Sequence, residues 1–480
     1  MPAMANRLLS ERARFGVILA ALFGIAVALR SYRLTYWNIE GDEINTLRDS
    51  LSLPGFFNSA KPLIFFLNHY LVAPWTELDE FGLRILPALF GILAVPAMYW
   101  LGRRTLGVSV GLFAALLVTF SPWHLYWSQY ARYYSLVFLL SAGFPLLLYL
   151  GLRDRNARLL VAGLATAMAG MLAHASTGLL LVTFGVWLAL TAVPRADLRR
   201  STTRWTLVTG GLIGAVIVGL VLYRLLPQLI RWNNLPQDWG HNSVSLLLSY
   251  VDWLSPIVLL FGIAGTAWMW RDGERALASL FAVTVTLPLV LVGVLSFFVP
   301  VSTAYVFCTT PLVFVACAYF LDRLTSVGPR VKGTGIVVTA SILAIIAAGG
   351  PHIFSHFRDG SRLDFRGAAE HLRRHAVETD VLLSDQPRVL AYYLSDQPVQ
   401  QFERATASLA AAAERARQIS EDGEIWIVAA IRRRGGFSDI DLGAARDWVR
   451  DHCTLSESFF EPRLDYKYNE LQVYRCTSVG

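Results

Sequence analysis

The feature that most restricts this chain is a series of long apolar runs separated by loops that alternate in charge. Runs near or above the length needed to cross a bilayer, about 20 residues as a helix, occur at 15–32, 84–101, 107–121, 133–151, 158–174, 176–193, 205–226, 253–270, 277–299, 303–321 and 334–350. The third is short. If the N-terminus is cytoplasmic, the inner loops carry Arg103-Arg104, then Arg153, Arg155 and Arg158, then Arg195, Arg199, Arg200 and Arg204. Arg271 with Arg275, and Arg323, Arg330 and Lys332, continue the series. The alternate loops lack this bias, as the positive-inside rule requires. An odd number of spans then puts the tail, 351–480, outside. The expectation is an α-helical polytopic membrane protein with about eleven transmembrane helices.

Composition agrees. Of 480 residues, 55% are hydrophobic and 16% charged, which excludes an ordinary soluble domain. The net charge of +7 resides largely in the inner loops, and no basic stretch interleaved with aromatics supports a nucleic-acid partner. Arg7, Arg12 and Arg14 precede the first run, which ends at Arg30-Ser-Tyr-Arg33 without a small-residue cleavage site. It reads as a retained helix, not a signal peptide. Cys308 and Cys317 fall inside an apolar run, whereas Cys453 and Cys476 lie in the polar tail, where a bridge would require an oxidising compartment.

Two outer loops are long, 34–83 and 227–252. Within the first, 62–75 (PLIFFLNHYLVAPW) is too short to span and suits a helix lying in the interface. The second places Trp232, Trp239 and His241 among polar residues, a composition for a loop near the headgroups. The tail alternates helix-like segments (367–377, 388–394, 405–418, 442–451) with strand-like ones (380–384, 424–430, 470–474), which predicts a small α/β domain. Lacking GxGxxG, Walker A, CxxC and HExxH spacings, it is expected to be a scaffold or to face an acceptor.

The candidate chemistry begins at Tyr36-Trp37-Asn38-Ile39-Glu40-Gly41-Asp42-Glu43, with three carboxylates in four residues just after the first run. One reading makes Asp42 the N-cap of a helix, with Glu43 favourable to its dipole. The other makes Asp42 a general base for an acceptor hydroxyl. Glu43, on another face of the helix, would then position the acceptor or hold a cation or an arginine. Lys61, before Pro62, either snorkels to headgroups or meets a phosphate as a point charge. Ser121-Pro-Trp-His-Leu-Tyr-Trp-Ser-Gln-Tyr-Ala-Arg132-Tyr-Tyr-Ser135 packs His124, Gln129 and Arg132 among aromatics. An interfacial belt accounts for the aromatics; Arg132, on the outer side, runs against the positive-inside bias. It would pair with the acidic loop or with a substrate phosphate. His69, His174 and His241 also fall outside, each alone near a helix end, so no structural metal site is expected. A divalent cation held by carboxylates and substrate phosphate stays compatible with the sequence.

These residues resemble a known group. The acidic pair after the first helix looks like the DE motif of the GT-C fold membrane glycosyltransferases, above all the protein O-mannosyltransferase and ArnT-like group. Lys61-Pro62 is similar to that group's lysine–proline before a juxtamembrane helix. Leu83-Arg84-Ile-Leu-Pro-Ala-Leu-Phe-Gly91 looks like its opening to the second helix, and Ser121-Pro122 through Gln129-Tyr-Ala-Arg132-Tyr-Tyr-Ser resembles its most specific stretch. Ala60 before Lys61, and the absence of an arginine just before Tyr305, depart from the pattern.

The resemblance implies a bacterial inner-membrane enzyme with residues 1–350 as the transferase domain and 351–480 as a periplasmic one. It would be an inverting transferase moving a sugar from a polyprenyl-phosphate donor to a glycan, lipid or protein acceptor, with no cofactor required. Asp42 would be the base, with Glu43 beside it. Lys61 and Arg132 would meet the donor phosphate. Tyr133, His124, Gln129, His174 and His241 would contact substrate. The rival class is a polytopic lipid or glycan transporter, which the scarcity of charge within the apolar runs disfavours.

Overall fold

The computed structural model describes residues 2–52, 59, 61–191, 243–299, 301–327, 334–359, 362–395, 398–401, 406–419, 423–434, 438–440, 445–461 and 467–476, with isolated positions between 209 and 230. The chain divides into two compact units. One comprises Met1–Tyr32 and Arg48–Gly350, the other Arg33–Leu47 and Pro351–Gly480.

The first unit is helical. Its elements are α1 (Pro2–Ser31), the later turns of α2 (Gly41–Leu51), α3 (Pro62–Leu67, continued as a π-helix over Asn68–Val72), α4 (Glu80–Leu106), α5 (Val108–Phe120) and α6 (Pro122–Ser128). Then follow α7 (Tyr134–Arg153), α8 (Ala157–Ala173), α9 (Thr177–Leu190), α10 (Ser243–Leu254), α11 (Pro256–Arg271) and α12 (Arg275–Leu295). A 3-10 turn over Thr303–Thr309 leads into α13 (Thr310–Val327), and α14 (Thr334–Asp359) runs on past the unit boundary. Apolar side chains such as Leu89, Leu93, Leu260, Ile263, Val290 and Val294 face outwards. In water that would be costly, and in lipid it is the normal state.

This is a multi-span membrane protein, and the described residues account for fewer than the eleven expected crossings. Among the described residues six helices are long and apolar enough to cross, or up to eight if each of two bent pairs is one span. The runs at 158–174 and 176–193 form α8 and α9, of 17 and 14 residues, shorter than a full crossing. The run at 205–226 lies outside the described residues apart from isolated positions. The runs at 107–121 and 253–270 are halves of bent pairs: α5 with α6 at 62°, and α10 with α11 at 89°. Both breaks fall at Ser-Pro steps. Proline has no N–H to continue the ladder and forces the residue before it out of helical geometry. Ser255 adopts φ 70°, where a side chain is strained. The loop expected over 227–252 is therefore helical from Ser243 onward. The interfacial helix expected over 62–75 is present as α3 and its π-turn, with Phe66, Tyr70, Leu71 and Trp75 exposed.

The second unit is α/β. After α14 come α15 (Phe365–His375), β1 (Val381–Ser384), α16 (Pro387–Tyr393), β2 (Val399–Gln401), α17 (Thr406–Ile419), β3 (Ile425–Arg434), β4 (Ser438–Ile440), α18 (Ala445–His452), β5 (Cys453–Glu461) and β6 (Lys467–Cys476). The strands make one sheet in the order β2-β1-β3-β6-β5, with β4 added to β3. β1 pairs in parallel with β2 and β3, while β6 is antiparallel to both β3 and β5. On one face Val381, Leu383, Ile425, Ile427 and Ala429 pack with Leu409, Ala412, Ala413 and Val449. The alternate residues Leu382, Trp426 and Val428 are buried on the other face. Such two-sided burial is why β1 reads as a continuous apolar run. Cys453 and Cys476, opposite each other on β5 and β6, are bridged.

Candidate active site

The acidic segment belongs to the second unit. Glu40, not Asp42, caps α2: its carbonyl accepts from the backbone of Glu43 and Ile44. The Glu43 carboxylate reaches back to the Glu40 N–H at 3.2 Å, as in a capping box. The same oxygen accepts from Arg362 Nη1 at 2.9 Å, and both side chains are fully buried (0% and 1% exposed). Arg362 also donates to the Asn38 carbonyl, Asn38 donates to Asp364, and the Ile39 N–H meets the Tyr393 hydroxyl at 2.7 Å. The segment is thus fixed by 362–366 and 393, far along the chain. Glu43 is committed to this network, and the arginine it holds is Arg362. Nothing in the sequence separates Arg362 from the other arginines of the tail. Asp42 is different: it is exposed on the first turn, where the helix dipole favours a carboxylate.

The basic cluster belongs to the helical unit. Lys61, immediately before α3, donates from Nζ to the Tyr133 hydroxyl at 3.0 Å, and Arg132 Nη2 donates to the same oxygen at 3.4 Å. Both cations also lie over the Tyr133 ring, at 4.7 and 4.9 Å from its centroid. His174, between α8 and α9, stacks on that ring at 4.6 Å with 16° between planes. Its Nδ1 accepts from the Ser176 N–H, which leaves Nε2 as the protonated nitrogen of a neutral ring. Burial, and the charges of Lys61 and then Arg132, hold the imidazole well below its usual pKa. Tyr305, from the 3-10 turn, completes the aromatic wall at 5.5 Å from His174; sequence reasoning noted it only for the arginine missing before it.

His124 and Gln129 serve other contacts. Pro122 cannot donate to the carbonyl of Val118 four residues earlier, and buried Arg30 does so instead, at 2.8 Å from Nη2. The same nitrogen lies 2.8 Å from His124 Nδ1. The Gln129 amide nitrogen lies 2.8–3.1 Å from the carbonyls of Leu29, Arg30 and Tyr32, which close α1. Gly91 leaves room for this: a Cβ there would meet Ser128 Oγ at 2.2 Å. These residues set the bend from which the chain runs to Arg132 and Tyr133. His241 lies outside the described residues. Among the described residues no group of three or more His, Cys, Asp or Glu is arranged to hold a metal.

Chemically, the helical unit offers two cations and a neutral imidazole around one phenol, a set suited to a phosphate. The α/β unit offers an exposed carboxylate on a rigid turn. No protein-family model matches the sequence, and no curated protein matches it. Solved structures do. ArnT from Cupriavidus metallidurans in the apo state superposes with a TM-score of 0.58 at 13% identity, covering 98% of each chain. ArnT bound to undecaprenyl phosphate gives 0.51 at 12% identity, again over 98% of each chain. The Archaeoglobus fulgidus oligosaccharyltransferase in complex with Zn and sulfate gives 0.55 at 15% identity, over 86% of this chain and 67% of that one. The chain therefore has the GT-C fold of these membrane glycosyltransferases.

Proposed function

With the GT-C fold as premise, we propose that the protein is a glycosyltransferase that moves a sugar from a polyprenyl-phosphate carrier to an acceptor hydroxyl on the extracytoplasmic side. The observation that carries this reading is the convergence of Lys61 and Arg132 on the single oxygen of Tyr133. An arriving phosphate would gain charge-assisted hydrogen bonds from both side chains at that one place. The structure of ArnT bound to undecaprenyl phosphate supports a lipid-linked phosphate as the ligand class.

The reaction follows from these groups. The acceptor oxygen attacks the anomeric carbon, the bond from that carbon to the phosphate oxygen breaks, and the lipid phosphate leaves with the electron pair. Lys61 and Arg132 stabilise its growing charge. Neutral His174 adds an N–H donor without adding a third positive charge. Asp42 takes the acceptor proton, and a single displacement inverts the anomeric centre. Glu43 is a positioning residue, holding the turn that bears Asp42. No step is assigned to a metal.

The test uses membranes of the host carrying either the wild-type chain or Asp42→Asn. Supplied with polyprenyl-phosphate-linked sugars, the wild type transfers sugar to an acceptor, and Asp42→Asn, a change of charge and not of size at an exposed position, loses transfer while nearly retaining its melting profile. Undiminished transfer by Asp42→Asn refutes the assignment of the base. Transport of the intact carrier lipid without sugar transfer refutes the enzyme.

A further inference from the structure

The helical unit has a concave feature that the proposed transfer reaction does not use. Helices α11, α12 and α13 border a groove of about 400 Å³. Two glycines explain it. A Cβ on Gly265 would lie 1.9 Å from the Ala316 carbonyl oxygen, and one on Gly262 3.2 Å from Val313, so α11 lies directly against α13. Space remains where α11 faces the small residues Ala278, Ser279 and Ala282 of α12.

The walls of the groove suit a hydrocarbon. The hydroxyls of Thr266, Ser279 and Thr286 each donate to a carbonyl of their own helix at 2.7–2.9 Å, so they ask nothing of an occupant. Ile263 and Trp270 are 68% and 53% exposed, so the groove opens sideways, where lipid surrounds the spans.

Each of the two walls ends in an arginine. On α11 the residues Ile263, Thr266, Ala267 and Trp270 line the groove at i, i+3, i+4 and i+7, and Arg271 at i+8 is the next position of that stripe. On α12 Arg275 begins a stripe that continues with Ala278, Ser279 and Ala282 at i+3, i+4 and i+7. Both arginines are exposed, and among the described residues neither makes an ion pair. The carboxylate between them, Asp272, is already held by Arg323 at 2.8 Å and by the Tyr319 hydroxyl at 2.6 Å. Glu274 acts on Arg153.

We propose that the groove seats one anionic phospholipid, with an acyl chain between α11 and α12 and its phosphate on Arg271 and Arg275. The positive-inside reading puts this turn in the cytoplasmic leaflet, which carries the anionic lipids, and basic pockets between spans on that side bind their headgroups. A zwitterionic lipid would fill the apolar part equally well but leave the arginines with less charge to meet. The carrier lipid of the proposed reaction is a different occupant, because its phosphate belongs at Lys61 and Arg132. The phospholipid completes a packing that side chains leave open between α11 and α12.

The experiment is native mass spectrometry of the delipidated full chain, incubated in detergent with equal amounts of phosphatidylglycerol and phosphatidylcholine of the same acyl chains. One phosphatidylglycerol per chain should be retained in preference, by about fivefold for each arginine and so about 25-fold for the two. The double variant Arg271→Gln/Arg275→Gln should lose the preference and still retain lipid. Ala282→Phe, at an exposed position on the groove wall, should lower retention of both lipids with an unchanged melting profile. Equal retention of the two lipids by the wild type overturns the proposal, as does a preference unchanged in the double variant or retention unchanged in Ala282→Phe. Displacement of the phosphatidylglycerol by polyprenyl phosphate also overturns it, since the groove would then seat the carrier. None of these outcomes depends on sugar transfer, so the proposed reaction and this site stand or fall separately.

Discussion

The acidic turn and the basic cluster treat charge in opposite ways. In the α/β unit the buried carboxylate of Glu43 is matched by the buried guanidinium of Arg362 at 2.9 Å, and that match fixes a turn. In the helical unit Lys61 and Arg132, two like charges, share one phenol. A matched buried pair is a structural fixture, whereas the two cations on one phenol are, in the proposed function, the groups that meet a phosphate. Asp42 and Glu43, adjacent in sequence, fall on the two sides of that distinction, because neighbours on a helix point in different directions. Glu43 is buried in the network with Arg362, and Asp42 is exposed.

The sharpest way to break the comparison is Asp42→Asn, which should lower sugar transfer by about 10²- to 10⁴-fold, the usual contribution of a general base, while leaving thermal unfolding unchanged. Replacing either member of the buried pair, Glu43→Ala or Arg362→Ala, should cost about 3–5 kcal/mol of stability by leaving an uncompensated buried charge. Thermal unfolding of the purified protein measures this. Double replacement by apolar residues should recover part of the loss.

Lys61→Ala and Arg132→Ala should each weaken donor binding by about 1.5–3 kcal/mol, the range for hydrogen bonds to charged groups. The effect should appear in KM for the lipid donor or in direct binding of polyprenyl phosphate, with little change in melting temperature. Equal effects on stability and binding would make the cluster a structural one like Glu43–Arg362.

The smallest expected effect is that of His174. Its folded-state pKa is depressed, so below the ordinary value of 6.5 the unfolded chain takes up a proton that the folded chain refuses. Stability should therefore be fully present above pH 6.5 and decline as the pH falls below it. The His174→Gln variant should lose that component of the slope, as seen in denaturation at pH 7.5 and pH 5.5. Because His174 is only partly buried, solvent screening keeps the change small.

Much of this was legible in the residues themselves. The apolar runs marked the helices, and the alternation of apolar segments in the tail marked β1, α16, α17, β3 and α18 close to their observed places. The short strands β2 and β4 were not visible, since three residues carry little periodicity, and β5 was missed because its exposed positions break the apolar pattern. The breaks at Ser121-Pro122 and Ser255-Pro256 were written in the prolines, yet the packing of the helices sets the 62° and 89° bends.

By itself the sequence determined that this chain lives in a membrane, that its acidic motif follows the first helix, and that Lys61, Arg132 and their neighbours resemble a phosphate-handling set. Hydropathy and local motifs are properties of neighbouring residues, and so they are readable along the chain. Only the tertiary structure decided that Glu43 belongs to Arg362, 319 positions away, that Gln129 and Arg30 serve backbone carbonyls, and that His174 lies on Tyr133. Those pairings depend on how distant helices and strands pack, and partners are chosen there by burial and geometry. No local pattern encodes them.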